Sequence, residues 1–142
     1  EIIQQLSFRF VAPEQVASEI ADGARLGHPV CMPAWIEVAT LSGPLSPLGV
    51  GALDTGETAV IQLAIERHID CVCIDEWRGR RAAVAAGLRV TGSLGLLGRA
   101  KELGLIAALQ PWVDRLREAG IRHHPELLRR FLTSFGEAPF ED

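Results

Sequence analysis

Short apolar runs alternate along the chain with longer segments in which apolar residues recur at helical spacing. The short runs predict strands at residues 8–12, 35–39, 71–74 and 88–90. The longer segments predict helices at residues 14–24, 55–67, 77–86, 92–103, 109–119 and 125–135. Proline, glycine and serine are concentrated in residues 41–51, which predicts a loop.

The order of these elements predicts the fold. Strands that alternate with helices of this length form βαβ units, so we expect an α/β domain with a central parallel sheet flanked by helices. Residues 71–74 are apolar without interruption, which predicts a strand buried on both faces. In a parallel sheet, sites form where the carboxyl ends of strands meet the following helices. The candidate functional residues therefore directly follow the strands.

Two carboxylates, Asp75 and Glu76, directly follow the strand at residues 71–74. Adjacent carboxylates at the end of a strand suit a hard divalent cation, which prefers oxygen ligands. A structural alternative is that Asp75 caps the next helix while Glu76 interacts favourably with its dipole. The sequence leaves both interpretations open.

A second acidic pair, Asp54 and Glu57, begins the long helix in the stretch LDTGETA. The same spacing is typical of a capping box, in which Glu57 reaches back to the helix start. Both acidic pairs are nevertheless predicted at helix starts on the same edge of a parallel sheet. A metal ion held by these carboxylates could bind a phosphate beside the helix ends.

Basic and hydroxyl side chains follow the same strands. The stretch RGRR contributes Arg78, Arg80 and Arg81, which form either a solvated helix face or a grip on a polyanion backbone. The stretch VTGSLG contributes the hydroxyls of Thr91 and Ser93 at a helix start, where they could contact a phosphate oxygen. Because VTGSLG fits neither the Walker pattern nor Gly-x-Gly-x-x-Gly, it gives little support to nucleotide binding.

Composition narrows the class of protein. The chain has 142 residues and a net charge of −4, which excludes a globally basic nucleic-acid binder but not a local basic patch. No apolar run approaches the ~20 residues needed to cross a bilayer. Three cysteines without a Cys-x-x-Cys pair argue against a disulfide framework or a zinc site and favour a reducing cytoplasm.

Three further groups of residues are interpreted as structural. Cys71 and Cys73 are expected to be inert packing residues of their strand. His123 and His124 lack a third ligand, so no metal site is predicted there. The side chains of Trp77 and Trp112 are expected to lie partly in the core.

An ordered set of segments resembles a known family. LDTGETAVIQLA, CVCIDEWRGRRAA and GLRVTGSLGLLGRAKELGLI, preceded by RFVAPEQVASEI, resemble the uncharacterised bacterial and archaeal branch of PIN-domain proteins. The resemblance implies a three-layer, Rossmann-like domain and a metal-dependent ribonuclease site built from acidic residues. Many relatives are toxins of bacterial toxin–antitoxin pairs.

The resemblance also implies roles for individual residues. Glu57 resembles the family's helix-borne carboxylate and Asp75 the one that follows a strand, with Glu76 as a supporting ligand for Mg²⁺ or Mn²⁺. The chain departs from the family's pattern in two places, so the site that can be identified in it is incomplete. The family's first strand, which ends in Asp, is expected to lie upstream of residue 1, and Thr91 and Ser93 stand where many relatives have a further Asp.

These observations together predict a single PIN-like domain over residues 1–142 that cleaves RNA in the cytoplasm. The expected partners are RNA, an antitoxin protein and a second copy in a homodimer, with no membrane. RNA would be held by the side chains of Arg78, Arg80, Arg81, Thr91 and Ser93. The alternatives are a catalytically inactive PIN-like module that binds RNA or protein, and a small-molecule phosphate-binding domain that uses residues 92–95.

Overall fold

Strands and helices alternate in the predicted order in the computed structural model, which describes residues 2–28, 30–47 and 53–138. The chain divides into two units. The strand-bearing unit, Phe8–Gly92, contains β1 (Val11–Pro13), α1 (Glu14–Arg25), β2 (Glu37–Ala39), α2 (Thr55–Glu66), β3 (Cys71–Cys73), α3 (Trp77–Ala85) and β4 (Arg89–Thr91). The helical unit, Glu1–Ser7 with Ser93–Asp142, contains a 3-10 helix (Ile3–Gln5), α4 (Ser93–Glu102), α5 (Gln110–Glu118) and α6 (Pro125–Ser134).

The strands are parallel, which confirms the α/β class. β1 pairs with β2, and β3 pairs with β4, with Val72 opposite Val90. Within the described residues the strands form two separate pairs instead of the single central sheet that was expected. Each strand is three residues long, and its ladder bonds join it to one partner. Residues 41–47 are irregular, as predicted, and the rest of that predicted loop, residues 48–51, lies outside the described residues.

The core of the strand-bearing unit covers one face of β3. Val72 and Ile74 pack with Ala64 of α2 and Ala83 of α3. Cys71 and Cys73, whose positions alternate with these residues, are exposed. The prediction that this strand is buried on both faces is therefore wrong. Side chains along a strand point alternately to opposite faces, and α2 and α3 cover only one of them.

The helical unit has its own core. Its fully buried side chains include Leu109 and Val113 near α5 and Leu132 of α6. Gly98 of α4 lies so close to α6 that a methyl group on it would be 3.0 Å from the Phe135 ring. The absence of a side chain at Gly98 therefore permits close packing of these two helices.

A distant carboxylate caps the beginning of α5. Glu137 accepts hydrogen bonds from the Leu109 N–H at 2.7 and 2.9 Å and from the Gln110 N–H at 3.1 Å, and it pairs with Lys101 Nζ at 3.0 Å. Burial by itself would raise the pKa of Glu137. The hydrogen bonds and the Lys101 charge outweigh burial and hold the pKa below its ordinary 4.5.

We expect Glu137→Gln to lower the free energy of unfolding at neutral pH by roughly 1–3 kcal/mol, the value of hydrogen bonds to a charged group. Because the pKa of Glu137 is lowered in the folded state, its ionised form stabilises the fold above the ordinary pKa of 4.5. This contribution disappears as the pH falls through the folded-state pKa. Urea unfolding should therefore show a difference between wild type and Glu137→Gln that shrinks below about pH 4.

The exposed Glu118 of α5 supplies a matched control in the same unit. Glu118→Gln should change the free energy of unfolding by less than about 0.5 kcal/mol. Equal stability of the Glu137→Gln and Glu118→Gln variants at neutral pH would contradict the capping role of Glu137.

Candidate functional site

The start of α2 forms the predicted capping box. Asp54 Oδ1 accepts a hydrogen bond from the Glu57 N–H at 2.8 Å, and Thr58 Oγ1 donates to the Asp54 carbonyl at 2.9 Å. The backbone N–H of Asp54 in turn hydrogen-bonds the Glu57 carboxylate. These reciprocal bonds fix the Glu57 side chain at the first turn of the helix.

The Glu57 carboxylate lies against the backbone of α3. A methyl group on Gly79 would be 2.6 Å from Glu57 Oε1, so the carboxylate occupies the space that a side chain at residue 79 would fill. Desolvation in this position raises the pKa of Glu57, and the charges of Asp54, Glu76 and Glu19 raise it further. The hydrogen bond from the Asp54 backbone opposes this shift without cancelling it.

Glu76, and not Asp75, caps α3. One carboxylate oxygen of Glu76 accepts hydrogen bonds from the Arg78 N–H at 2.6 Å and the Gly79 N–H at 3.2 Å. The structural alternative that assigned the cap to Asp75 is therefore wrong. Helix α3 begins at Trp77, so Glu76 occupies the N-cap position and Asp75 lies one residue outside it.

Glu19 is a fourth acidic residue of the site, and the sequence patterns did not predict it. Its Oε1 accepts a hydrogen bond from the Gly56 N–H at 2.8 Å, and a methyl group on Gly56 would overlap the Glu19 carboxylate. Its position three residues after the apolar Val16 places Glu19 near the packed face of α1 but does not identify α2 as its partner. We refer to Glu19, Asp54, Glu57 and Glu76 as the acidic cluster.

Asp75 lies at the ends of β3 and β4. A methyl group on Gly92 would be 2.5 Å from Asp75 Oδ1 and 3.0 Å from Arg80 Nη1. Arg80 Nη1 also donates a hydrogen bond to the Ile74 carbonyl at 2.8 Å. Gly92 thus leaves room for both charged side chains beside the carboxyl ends of the paired strands.

Comparison with protein families matches residues 1–137 to the PIN domain. This match covers nearly the whole chain. The chain belongs to the PIN-domain family. Comparisons with curated proteins and with solved structures found no match.

The basic residues of this PIN domain have different environments. Arg78 and Arg81 are exposed, and the Arg81 guanidinium lies over the Trp77 ring at 4.7 Å from its centroid. Arg80 is half-buried and donates a hydrogen bond to the Ile74 carbonyl. Trp77 is 63% exposed, so the prediction that it lies partly in the core is wrong.

The two hydroxyl residues belong to different units of the PIN domain. Thr91 Oγ1 donates to the Gly92 carbonyl at 3.4 Å in the strand-bearing unit. Ser93 Oγ lies 3.2 Å from His123 Nε2 in the helical unit, a contact that the sequence did not predict. His124 is the N-cap of α6, where its Nδ1 accepts a hydrogen bond from the Glu126 N–H at 3.3 Å.

The cysteines of the PIN domain are all free thiols. Although Cys73 is exposed as a residue, neighbouring atoms desolvate its thiol and, together with the Asp75 charge, raise the pKa of the thiol to about 11. The thiol of Cys73 therefore stays protonated at neutral pH, when it is a poor nucleophile.

The carboxylates of the described residues do not form a closed metal cage. Among the residues that the structure describes, no three His, Cys, Asp or Glu side chains form a group able to hold a metal ion. Mg²⁺ commonly binds one or two carboxylates and keeps several waters, which a substrate phosphate can replace. Carboxylates are present in the acidic cluster around Glu57, whereas the Asp75 carboxylate lies beside Gly92 and Arg80.

Across the same described residues, no helix combines the length and the apolar character that crossing a membrane requires.

Proposed function

We propose that this PIN domain is a metal-dependent ribonuclease that hydrolyses RNA phosphodiesters. The observation that carries the proposal is the environment of Glu57. Its carboxylate is partly desolvated beside three other acidic groups, which raises its pKa. A bound divalent cation would relieve the repulsion between these carboxylates. The cluster therefore favours cation binding.

Glu57 and Asp75 are the proposed catalytic residues, with Glu76 as a further metal ligand. Mg²⁺ or Mn²⁺, when bound, would activate water and neutralise charge on the scissile phosphate. Glu76 uses one oxygen for the α3 cap, and a carboxylate can accept more than two hydrogen bonds or metal contacts. Glu19 adds negative charge beside Glu57 and positions the start of α2 through Gly56.

RNA is the proposed substrate because exposed arginines follow Glu76 on the first turns of α3. Arg78 and Arg81 would contact the RNA backbone, and Arg80 would position the end of β3 next to Asp75. Thr91 and Ser93 are proposed as additional phosphate contacts. The biological setting we propose is a cytoplasmic toxin that is held by an antitoxin protein and forms a homodimer.

One observation favours a second function, an inactive PIN-like module that binds RNA or protein. Within the described part of the chain, no three-residue metal-binding group is assembled. A module of this kind would bind RNA without Mn²⁺ and would cleave none. Incubation of the full-length protein with single-stranded RNA, with Mn²⁺ or with EDTA, separates the two functions. Absence of Mn²⁺-dependent products would refute the ribonuclease proposal.

Glu57→Gln tests the role of the acidic cluster without RNA. Because the pKa of Glu57 is raised in the fold, ionisation of Glu57 destabilises the protein as the pH rises from the ordinary 4.5 through the folded-state pKa. The variant should therefore melt roughly 1–4 °C higher than wild type at neutral pH without metal, and should lose this advantage below about pH 4.

The same variant should lose the rise in Tm that Mn²⁺ produces in the wild type. Glu66→Gln, at the other end of α2, changes charge equally and should keep the Mn²⁺ response. If Mn²⁺ raises the Tm of wild type, Glu57→Gln and Glu66→Gln by the same amount, Glu57 is not a ligand.

A further inference from the structure

A large aromatic side chain is exposed beside the acidic cluster. Trp77 is the first residue of α3 and directly follows Glu76, yet 63% of its surface is open to solvent. Exposure of a tryptophan forfeits the free energy that burial of its ring would provide. Because other apolar side chains are equally exposed, what distinguishes Trp77 is its position directly after Glu76 of the acidic cluster.

The exposed ring is already paired with a cation. The Arg81 guanidinium, one helical turn along α3, lies 4.7 Å from the centroid of the Trp77 ring. This contact places a positive charge over one face of the indole. Arg78 is exposed on the first turn of the same helix, and no salt bridge neutralises Arg78 or Arg81 within the described residues.

The chain connectivity places this aromatic pair close to the carboxylates. Trp77 is one residue from Glu76 and two from Asp75, and consecutive Cα atoms are about 3.8 Å apart. A nucleotide next to a phosphate at these carboxylates is therefore within reach of the indole. A flat aromatic surface with adjacent cations is the combination that binds unpaired bases and their phosphates.

We propose that Trp77 and Arg81 form a stacking platform for one unpaired base of the RNA strand. This inference rests on the proposed function, because it assumes that RNA is the substrate. An unpaired base can lie on the indole, whereas a base inside a duplex is covered by its neighbours. The platform thus favours single-stranded RNA near the acidic cluster and accepts any base, because every base has a flat face.

Binding without metal tests the platform separately from cleavage. The probe is a fluorescein-labelled oligoadenylate of about 12 nucleotides, within the range of single-strand binding sites, in EDTA. Trp77→Ala should raise its Kd by about 5- to 100-fold, the loss typical of removing one stacked aromatic. Trp77→Phe should keep most of the affinity, since a phenyl ring also stacks.

Val84→Ala is the matched control, because Val84 is also 63% exposed and lies on α3 two turns after Trp77. Its Kd should equal that of wild type. An abasic oligomer of equal length should bind wild type and Trp77→Ala equally, because it keeps the phosphates and lacks the bases.

Quenching of tryptophan fluorescence by oligoadenylate should disappear in Trp77→Phe and persist in Trp112→Phe.

Three results would overturn the platform. Unchanged oligoadenylate affinity of Trp77→Ala is the first. Equal loss in Val84→Ala is the second, because it would show that the loss does not depend on the indole. The third is reduced self-association of Trp77→Ala in sedimentation with unchanged RNA binding, which would identify a contact between copies. If wild type shows Mn²⁺-dependent cleavage alongside any of these results, the ribonuclease proposal stands and only the platform is refuted. If RNA binding depends on Trp77 but no cleavage occurs, the ribonuclease proposal is refuted and the platform stands.

Discussion

Asp75→Asn is expected to reduce Mn²⁺-dependent RNA cleavage by about 100-fold or more, since even residues that support a metal ligand contribute 10- to 100-fold. Asn keeps the size of Asp and removes its charge. The fold should persist, because Glu76 and not Asp75 supplies the cap of α3. Initial cleavage rates on single-stranded RNA at saturating Mn²⁺, with the full-length protein, measure the effect.

Asp70→Asn supplies a control on the same strand. Asp70 is exposed and precedes β3, whereas Asp75 follows it, so the two substitutions remove the same charge at opposite ends of the strand. Asp70→Asn should cleave at the wild-type rate. Equal rates for wild type and Asp75→Asn, at matched melting temperatures, would remove Asp75 from the mechanism.

Gly79→Ala is expected to damage both stability and activity. The added methyl group would lie 2.6 Å from Glu57 Oε1 and 2.8 Å from Ile74 Cγ2, and Gly79 is buried. Crowding of this kind costs about 1–3 kcal/mol. The gain in helix propensity returns at most about 1 kcal/mol. Displacement of Glu57 should also lower the cleavage rate by roughly 10- to 100-fold, because small misplacements of catalytic groups are costly.

Gly23→Ala in α1 isolates the contribution of helix propensity. The nearest atoms to a methyl group on Gly23 belong to His28, at 4.0 Å, which is an ordinary contact. This variant should gain roughly 0.5–1 kcal/mol in the free energy of unfolding, measured in urea, and keep full activity. A Gly79→Ala protein that is as stable and active as Gly23→Ala would show that the space beside Glu57 is unimportant.

Local signals in the sequence predicted the elements well. Helix starts and ends carry residues with a direct physical role, such as Asp54 at the cap of α2. Gly87 and Gly104, which follow α3 and α4, have φ angles of +82° and +70° that favour glycine. The ends of the strands were predicted less accurately. Residues 8–10 have strand-like composition, but β1 begins at Val11. Hydrogen bonds to a partner strand decide those ends.

Side-chain environment was harder to predict than secondary structure. Apolar composition did not show that Cys71 and Cys73 face solvent, because burial depends on which helices cover the sheet. The exposure of Trp77 likewise follows from the face of α3 that carries it.

The acidic residues show the same distinction within the candidate site. Asp54, Glu57 and Glu76 could be found from their spacing before helices. Glu19 could not, because its approach to Gly56 joins residues 37 positions apart. Tertiary packing of α1 on α2, and not local pattern, brings that carboxylate to the site.

The capping of α5 by Glu137 has a consequence for the newly made protein. Chains are synthesised from the amino terminus, so α5 leaves the ribosome before the residue that accepts its first N–H groups. Until residue 137 emerges, the amides of Leu109 and Gln110 lack the carboxylate acceptor of the folded protein. A nascent or prematurely terminated chain ending at residue 136 would contain all of α4, α5 and α6. Because its α5 lacks the cap, proteases should cleave this chain and chaperones should bind it more readily than the complete helical unit.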